Sequence, residues 1–104
     1  MPMATINGSN VHVDDEGFLT EYDEWSEDLA KTLATQIGID LTDAHWKAIR
    51  FLREDYQAQG ETATIRRVSM VGGIPTKDLF TLFPKKPAKK MAYISGLPKP
   101  HGCV

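Results

Sequence analysis

The sequence predicts a mainly α protein that carries a small β-hairpin at its N-terminus. Apolar residues recur at helical spacing through most of residues 26–96, and a turn pair separates two short extended runs near the start. The last eight residues contain two prolines and no periodic pattern. For a chain of 104 residues, we expect one domain over residues 1–96 and a C-terminal arm over residues 97–104.

The N-terminal hairpin is predicted by Asn7-Gly8-Ser9, which lies between Ala4-Thr5-Ile6 and Asn10-Val11-His12-Val13. Asn-Gly is among the strongest short-range turn pairs because both residues tolerate a positive φ. The acidic run over residues 14–16 then ends the second strand, and the chain returns to the core at Phe18.

Two helices follow, each with a capping residue and a glycine stop. The first begins at Ser26 and ends near Gly38, and the second begins at Thr42 and ends at Gly60. Their expected apolar positions are Leu29, Ala30, Leu33, Ala34 and Ile37 in the first, and Trp46, Ile49, Phe51, Leu52 and Tyr56 in the second.

A third, shorter helix is predicted over residues 62–71. Its inward positions are expected to be Ile65, Val68 and either Met70 or Val71. A glycine pair then makes a turn.

Prolines delimit the remaining helices. A short amphipathic piece starts at Pro75 and is ended by Pro84, and a last helix runs from Pro87 to about Ser95. Gly96 stops that helix, and we expect everything after it to be an unpacked arm.

Charge is distributed unevenly. Residues 1–55 carry a balance of −8 and residues 56–104 a balance of +6, so the C-terminal half can attract an acidic partner. The alternative is that the two sets pair internally or face water. Sequence-specific DNA binding is not expected, because the segment 79–83 is too apolar to contact bases. The candidate basic contact face consists of Arg66, Arg67, Lys85, Lys86, Lys89 and Lys90.

Several classes of protein are excluded by composition. One cysteine forbids an internal disulfide and the multi-cysteine zinc and iron–sulfur sites. No apolar run reaches the length of a membrane span, and the N-terminus has no signal-peptide pattern. The three histidines, His12, His45 and His101, lack metal-ligand spacing. We therefore expect a cytoplasmic protein without metal, cofactor or membrane contact.

Cys103 is the residue most able to carry chemistry. It stands next to the C-terminal residue of the chain, in a stretch that Pro98 and Pro100 stiffen, so burial is hard to arrange. Fully extended, the seven residues 97–103 span roughly 23–25 Å. The nucleophile is the thiolate, and in an exposed tail it must be generated by a partner's pocket. The alternative is an incidental thiol on a frayed tail.

The C-terminal run Gly96-Leu97-Pro98-Lys99-Pro100-His101-Gly102-Cys103-Val104 resembles the signature of the DsrC/TusE family of sulfur-relay proteins. Further landmarks of that family are similar to segments spread over nearly the whole chain. They are Asp15–Leu19 followed by Trp25, Leu41–Trp46, Phe51–Tyr56, Leu82–Pro84 and Pro87–Lys89.

The resemblance implies a small orthogonal helical bundle whose arm carries sulfur as a persulfide on Cys103. It also implies that Leu97, Pro98, Lys99, Pro100, His101 and Gly102 form the part of the arm that docks into partners. Members that serve dissimilatory sulfite reductase have a second cysteine where this chain has Ala92, so two-thiol chemistry is closed to it. The resemblance also leads us to expect a small residue, such as threonine, at the position where this chain has His101.

The partners that the resemblance implies are an upstream persulfide donor and a downstream sulfur acceptor. Single-cysteine members similar to TusE relay sulfur toward wobble 2-thiouridine in tRNA, which would bring an indirect association with tRNA. Two alternatives stay open. One is a partner or regulator in dissimilatory sulfur metabolism, and the other is a binding module that uses the basic face.

Overall fold

The computed structural model of the protein describes residues 3–6 and 8–100. Strands β1 (Met3–Ile6) and β2 (Ser9–His12) form an antiparallel hairpin, and a 3₁₀ turn spans Tyr22–Glu24. Five helices follow in these described parts of the chain, which confirms the mainly α fold with an N-terminal hairpin. They are α1 (Glu27–Gln36), α2 (Asp43–Gln59), α3 (Ile65–Met70), α4 (Thr76–Leu82) and α5 (Pro87–Ile94).

The hairpin packs on the side of the bundle formed by α1. Ile6, Val11 and Val13 are buried in a cluster with Leu29 and Leu33 of that helix. Val13 also forms an isolated bridge with Leu19, which brings the loop after the hairpin back onto the body. The acidic loop over residues 14–18 is therefore fixed between β2 and the bundle.

Helices α1 and α2 begin and end as their sequences predict. The Ser26 hydroxyl accepts a hydrogen bond from the Leu29 amide, and Gly60 closes α2 in the left-handed conformation. At the start of α2, His45 Nδ1 accepts from the Thr42 amide at 3.0 Å, so Nε2 carries the proton and donates to the Leu82 carbonyl at 2.8 Å. The buried His45 therefore joins the start of α2 to the end of α4.

Helix α3 is shorter than the sequence predicts. It begins at Ile65, because Thr64 serves as its N-cap and accepts from the Arg67 amide. Val68 is buried as expected, but Met70 and Val71 are 72% and 59% exposed, so the prediction that one of them points inward is wrong. One six-residue helix can bury only one narrow face, and Val68 already occupies it.

The main core lies where α2 and α5 meet. Ile49 and Leu52 of α2 and Met91 and Ile94 of α5 are fully buried there. Leu97 belongs to the same cluster and is fully buried, although the sequence predicts it in the unpacked arm. No helix within the described ranges is long and apolar enough to cross a membrane.

Candidate functional site: the root of the C-terminal arm

We define residues 94–100, from the last residue of α5 to Pro100, as the arm root. The chain leaves α5 through a left-handed turn at Gly96, where φ is 70°. The Leu97 amide donates to the Ala92 carbonyl at 3.0 Å, and the Gly96 amide donates to the Tyr93 carbonyl. These bonds close the helix and direct Leu97 back into the core.

Two side chains from distant segments satisfy the last carbonyls of α5. The Trp25 indole N–H donates to the Ile94 carbonyl at 2.9 Å, and the Arg53 guanidinium donates to the Ser95 carbonyl at 2.9 Å. Unpaired carbonyls at a helix end would otherwise need water, which this buried position does not admit. The end of α5 is therefore held by the loop before α1 and by α2.

Arg53 itself is held by aromatic rings. Its guanidinium carbon lies 3.9 Å from the centre of the Tyr22 ring and 4.1 Å from that of Trp25, and a second nitrogen donates to the Tyr22 carbonyl. Burial lowers the pKa of Arg53, and Tyr22 partly opposes that effect. Arg53, Tyr22 and Trp25 therefore hold one another in position.

Beyond Leu97, the arm root is held by a hydrogen bond from Thr62. The Thr62 hydroxyl donates to the Pro98 carbonyl at 2.8 Å, across 36 residues of sequence. Thr62 is only 7% exposed, so water competes poorly for this bond.

Glu16 also contacts the arm root, from the loop after the hairpin. Lys99 Nζ lies 3.0 Å from one Glu16 carboxylate oxygen, and Lys89 Nζ of α5 lies 3.7 Å from the other. The hydrogen bond from Lys99 is the main reason that the pKa of Glu16 is lowered. Asp14 fixes this loop by accepting from the amides of Glu16 and Phe18.

Four of the arm residues predicted from sequence thus have defined positions. Leu97 and Pro100 are buried, whereas Pro98 and Lys99 are exposed. His101, Gly102 and Cys103 lie outside the described residues. Covalent geometry limits the Cα atom of Cys103 to about 10–11 Å from that of Pro100, since three Cα–Cα steps connect them. The reach expected from an arm that is loose from Leu97 onward is roughly twice as long.

The candidate basic face is not one uniform surface. Arg67 makes two bonds of 2.8 and 2.7 Å to the buried Asp55 carboxylate, and this pairing raises the pKa of Arg67. Lys89 is paired with Glu16, and Lys90 donates to the Pro84 carbonyl. Arg66, Lys85 and Lys86 are exposed, so these three are the members best placed for an external contact.

The histidines that the structure describes have structural partners. His45 joins α2 to α4, and the His12 ring and amide both contact the Glu24 carboxylate, at 2.9 and 2.7 Å. The hydrogen bonds from His12 lower the pKa of Glu24. Within residues 3–6 and 8–100, no group of three or more His, Cys, Asp or Glu side chains is arranged to hold a metal ion.

Four side chains hold the arm root but are not recognised from the sequence as site residues: Trp25, Arg53, Thr62 and Glu16. Nothing in the local pattern around Thr62 distinguishes it from other loop threonines. Arg53 and Trp25 lie in segments that resemble family landmarks, and a polar residue on the helix face near Leu52 is the one signal that could have identified Arg53.

The fold and the arm root define a class of protein: a small helical bundle with an N-terminal hairpin, in which a structurally fixed segment precedes the one cysteine in the sequence. Within that class the chain belongs to the DsrC-like family, because the family model described as "DsrC like protein" matches residues 5–104.

Similar proteins are found by sequence and by structure. The chain is 38% identical to the sulfurtransferase TusE homolog of Haemophilus influenzae and 37% identical to sulfurtransferase TusE of Escherichia coli, covering 98% of this chain and 100% of each relative. A crystal structure described as dissimilatory sulfite reductase I (DsrI) has a TM-score of 0.85 at 36% identity, covering 99% of this chain and all of the other. The NMR structure of Allochromatium vinosum DsrC has a TM-score of 0.80 at 35% identity, covering 98% and 97%.

Proposed function

We propose that this protein is a sulfur carrier that accepts a sulfane sulfur on Cys103 as a persulfide and passes it to an acceptor protein. The observation that carries the proposal is the position of the one cysteine in the chain, three residues beyond a structurally fixed arm root. Full-length similarity to proteins named sulfurtransferase TusE supports it. We infer that this chemistry takes place in the reducing cytoplasm.

Transfer requires no external oxidant. The Cys103 thiolate attacks the outer sulfur of a donor persulfide, a new S–S bond forms on Cys103, and the donor's S–S bond breaks as its inner sulfur leaves as a thiolate. A second exchange of the same kind moves the sulfur from Cys103 to the acceptor. Each step conserves the oxidation level of the sulfane sulfur, so one thiol is sufficient.

The protein partners supply what the arm lacks. The nucleophile is the thiolate, and we assign its stabilisation to the donor or acceptor pocket. We therefore place donor and acceptor docking around the arm segment, with His101 and Gly102 entering the partner's site and the exposed Pro98 and Lys99 contacting its rim.

Synthesis of wobble 2-thiouridine in tRNA is the proposed destination of the sulfur. The TusE relatives favour it, and so does Ala92, which stands where sulfite-reductase members carry a second cysteine. Ala92 is fully buried in α5 beneath the arm root. A role beside sulfite reductase is the second candidate, favoured by the structural similarity to DsrI and DsrC.

Loading of Cys103 can be tested directly. The protein is incubated with a cysteine desulfurase and cysteine, freed from small thiols, and measured as an intact mass. We expect the wild type to gain one sulfur atom and Cys103→Ser to gain none. Equal gain by the two proteins, or none by the wild type, would refute the carrier role.

The destination is tested in cells of the source organism that lack this gene. Nucleosides from digested tRNA are separated and the wobble 2-thiouridine content is measured. We expect the content to fall strongly and to be restored by the wild type but not by Cys103→Ser. An unchanged content would exclude this destination and favour the sulfite-reductase candidate.

A further inference from the structure

We propose that Thr62 is a positioning residue for sulfur transfer, because its hydroxyl fixes the direction in which the thiol-bearing segment leaves the body. This inference rests on the proposed carrier function, since it concerns how Cys103 is presented. The contact is the 2.8 Å bond from Thr62 Oγ1 to the Pro98 carbonyl.

Thr62 can serve as a fixed point because its own loop is held at both ends. Gly60 closes α2 with its amide bonded to the Tyr56 carbonyl at 2.8 Å, and Thr64 caps α3. Between them Ala63 is 4% exposed and Thr62 7% exposed, so the loop is packed against the core. The Arg67–Asp55 pair further joins α3 to α2.

The bond acts at the first residue of the arm that lies outside the core. Leu97 is already buried, whereas Pro98 is exposed. Proline fixes φ at Pro98 and again at Pro100, so the Thr62 bond at the Pro98 carbonyl restrains one of the few remaining rotations of the segment. Lys99 between them is also held by Glu16, but that pair is exposed and contributes less.

A fixed exit makes docking less costly. Each backbone residue that must be ordered on binding reduces the population of competent complexes about ten-fold. With the root held, only the residues after Pro100 are ordered by the partner. With the root loosened at Pro98, one further non-proline residue, Lys99, must be ordered in each encounter.

The chain provides a matched control for the loss of a hydroxyl. Thr20 and Pro98 line the same small cavity, together with Leu97 and Gly96. Among the described residues, the Thr20 hydroxyl has no hydrogen-bond partner. Thr62→Val and Thr20→Val are therefore the same chemical change at two positions beside the arm root, and only the first removes a bond to it.

The first readout is independent of sulfur. Lys99 has the one amide between the two prolines, and its ¹⁵N order parameter reports the mobility of the root. We expect about 0.85 in the wild type and below about 0.6 in Thr62→Val, the values typical of rigid and flexible backbone. Thr62→Ser, which keeps the hydroxyl, and Thr20→Val are expected to match the wild type, and thermal melts establish that all four proteins are folded.

The second readout is transfer. We expect kcat/KM for sulfur transfer from a persulfidated desulfurase to fall about ten-fold in Thr62→Val and to be rescued in Thr62→Ser. Alkylation of Cys103 by iodoacetamide, a small reagent with no docking requirement, is expected to stay at the wild-type rate. If Thr62 affected only stability, Thr62→Val would not slow sulfur transfer while leaving alkylation at the wild-type rate.

An unchanged Lys99 order parameter in Thr62→Val would overturn the inference, as would unchanged transfer despite a mobile root, or failure of Thr62→Ser to rescue. If the wild type takes up no sulfur, the proposed function fails. The Lys99 order parameters then decide separately whether Thr62 fixes the root.

Discussion

The arm root and the corner formed by α3, the Gly72-Gly73 turn and α4 are built from similar sequence elements but are held very differently. Each has a short helix followed by a glycine in the left-handed conformation, Gly96 in one and Gly73 in the other. At the arm root, side chains from Trp25, Arg53 and Thr62 bond to its backbone carbonyls. At the corner, Met70 and Phe80 are 72% and 49% exposed.

The long-range hydrogen bonds from Trp25, Arg53 and Thr62 lie at the arm root. Buried hydrogen bonds to backbone carbonyls fix the path of the chain, whereas exposed apolar side chains add little restraint. The contacts converge on the segment that precedes Cys103, so the terminal residues start from a defined position.

The largest expected effect comes from removing the buried side chain of the arm root. Leu97→Ala leaves a cavity in the main core, and we expect the free energy of unfolding to fall by about 2–5 kcal/mol. Val71→Ala at the corner, where the side chain is 59% exposed, is the control, with a change within about 0.5 kcal/mol. Urea unfolding measures both, and similar losses at the two sites would show that the regions are not held differently.

The two left-handed glycines allow a closer comparison. Gly96→Ala and Gly73→Ala each lower the free energy of unfolding by about 1 kcal/mol, because alanine is strained in the left-handed conformation. A Cβ at Gly96 would lie 2.5 Å from Trp25 Cδ1 and 2.9 Å from its Cβ and Cγ, whereas one at Gly73 meets nothing within 4 Å.

We therefore expect Gly96→Ala to cost about 1–3 kcal/mol more than Gly73→Ala, because Trp25 must shift and its bond to Ile94 weakens. The measurement is the difference between the free energies of unfolding of the two variants in urea. Equal costs would show that the backbone conformation alone accounts for the effect and that contact with Trp25 does not.

A smaller effect is expected from pH at the Glu16–Lys99 pair. The folded pKa of Glu16 lies below its ordinary value of 4.5, so the unfolded chain takes up the proton first as pH falls. The contribution of Glu16 is therefore complete above about pH 4.5 and is lost as the pH falls through its lowered folded pKa.

The free energies of unfolding of the wild type and Glu16→Gln, measured across this pH range, test whether the Glu16 contribution is lost as the pH falls. The two curves are expected to converge toward acid pH and to separate above it. In a Lys99→Met background the separation should shrink, since the main partner of the carboxylate is gone. Curves that separate only at acid pH would contradict the assignment.

The smallest effect is expected at the corner itself. Met70→Ser and Phe80→Ser remove exposed apolar surface, and we expect each to change the thermal midpoint by no more than about 2–4 °C. A large destabilisation by either would show that the corner is packed more tightly than its exposure indicates.

Local signals in the sequence were sufficient for most of the fold. The Ser26 and Thr42 caps and the Gly60 stop are short-range features, and the structure places the helices accordingly. The inward position of Met70 or Val71 was wrong because a six-residue helix has too few turns for periodicity to define its buried face.

The candidate site likewise has one part that local sequence signals predict and one part that they do not. The family signature around Cys103 was visible in the sequence, and its sulfur role stays a proposal. The contacts of Thr62, Arg53 and Glu16 with the arm root span 36, 42 and 83 residues, and no local pattern encodes such pairs. The burial of Leu97 was missed for the same reason, because two neighbouring prolines suggested an unpacked tail.

The central claim, that Cys103 relays sulfur, is tested most directly by a single-turnover chase. Protein loaded with labelled sulfur on Cys103 is isolated and mixed with excess acceptor in the absence of donor and reductant, and the label on each protein is followed by intact mass. We predict that the label leaves Cys103 and appears on an acceptor cysteine in equal amount. Label that stays on Cys103, or appears only as free sulfide, would contradict a relay.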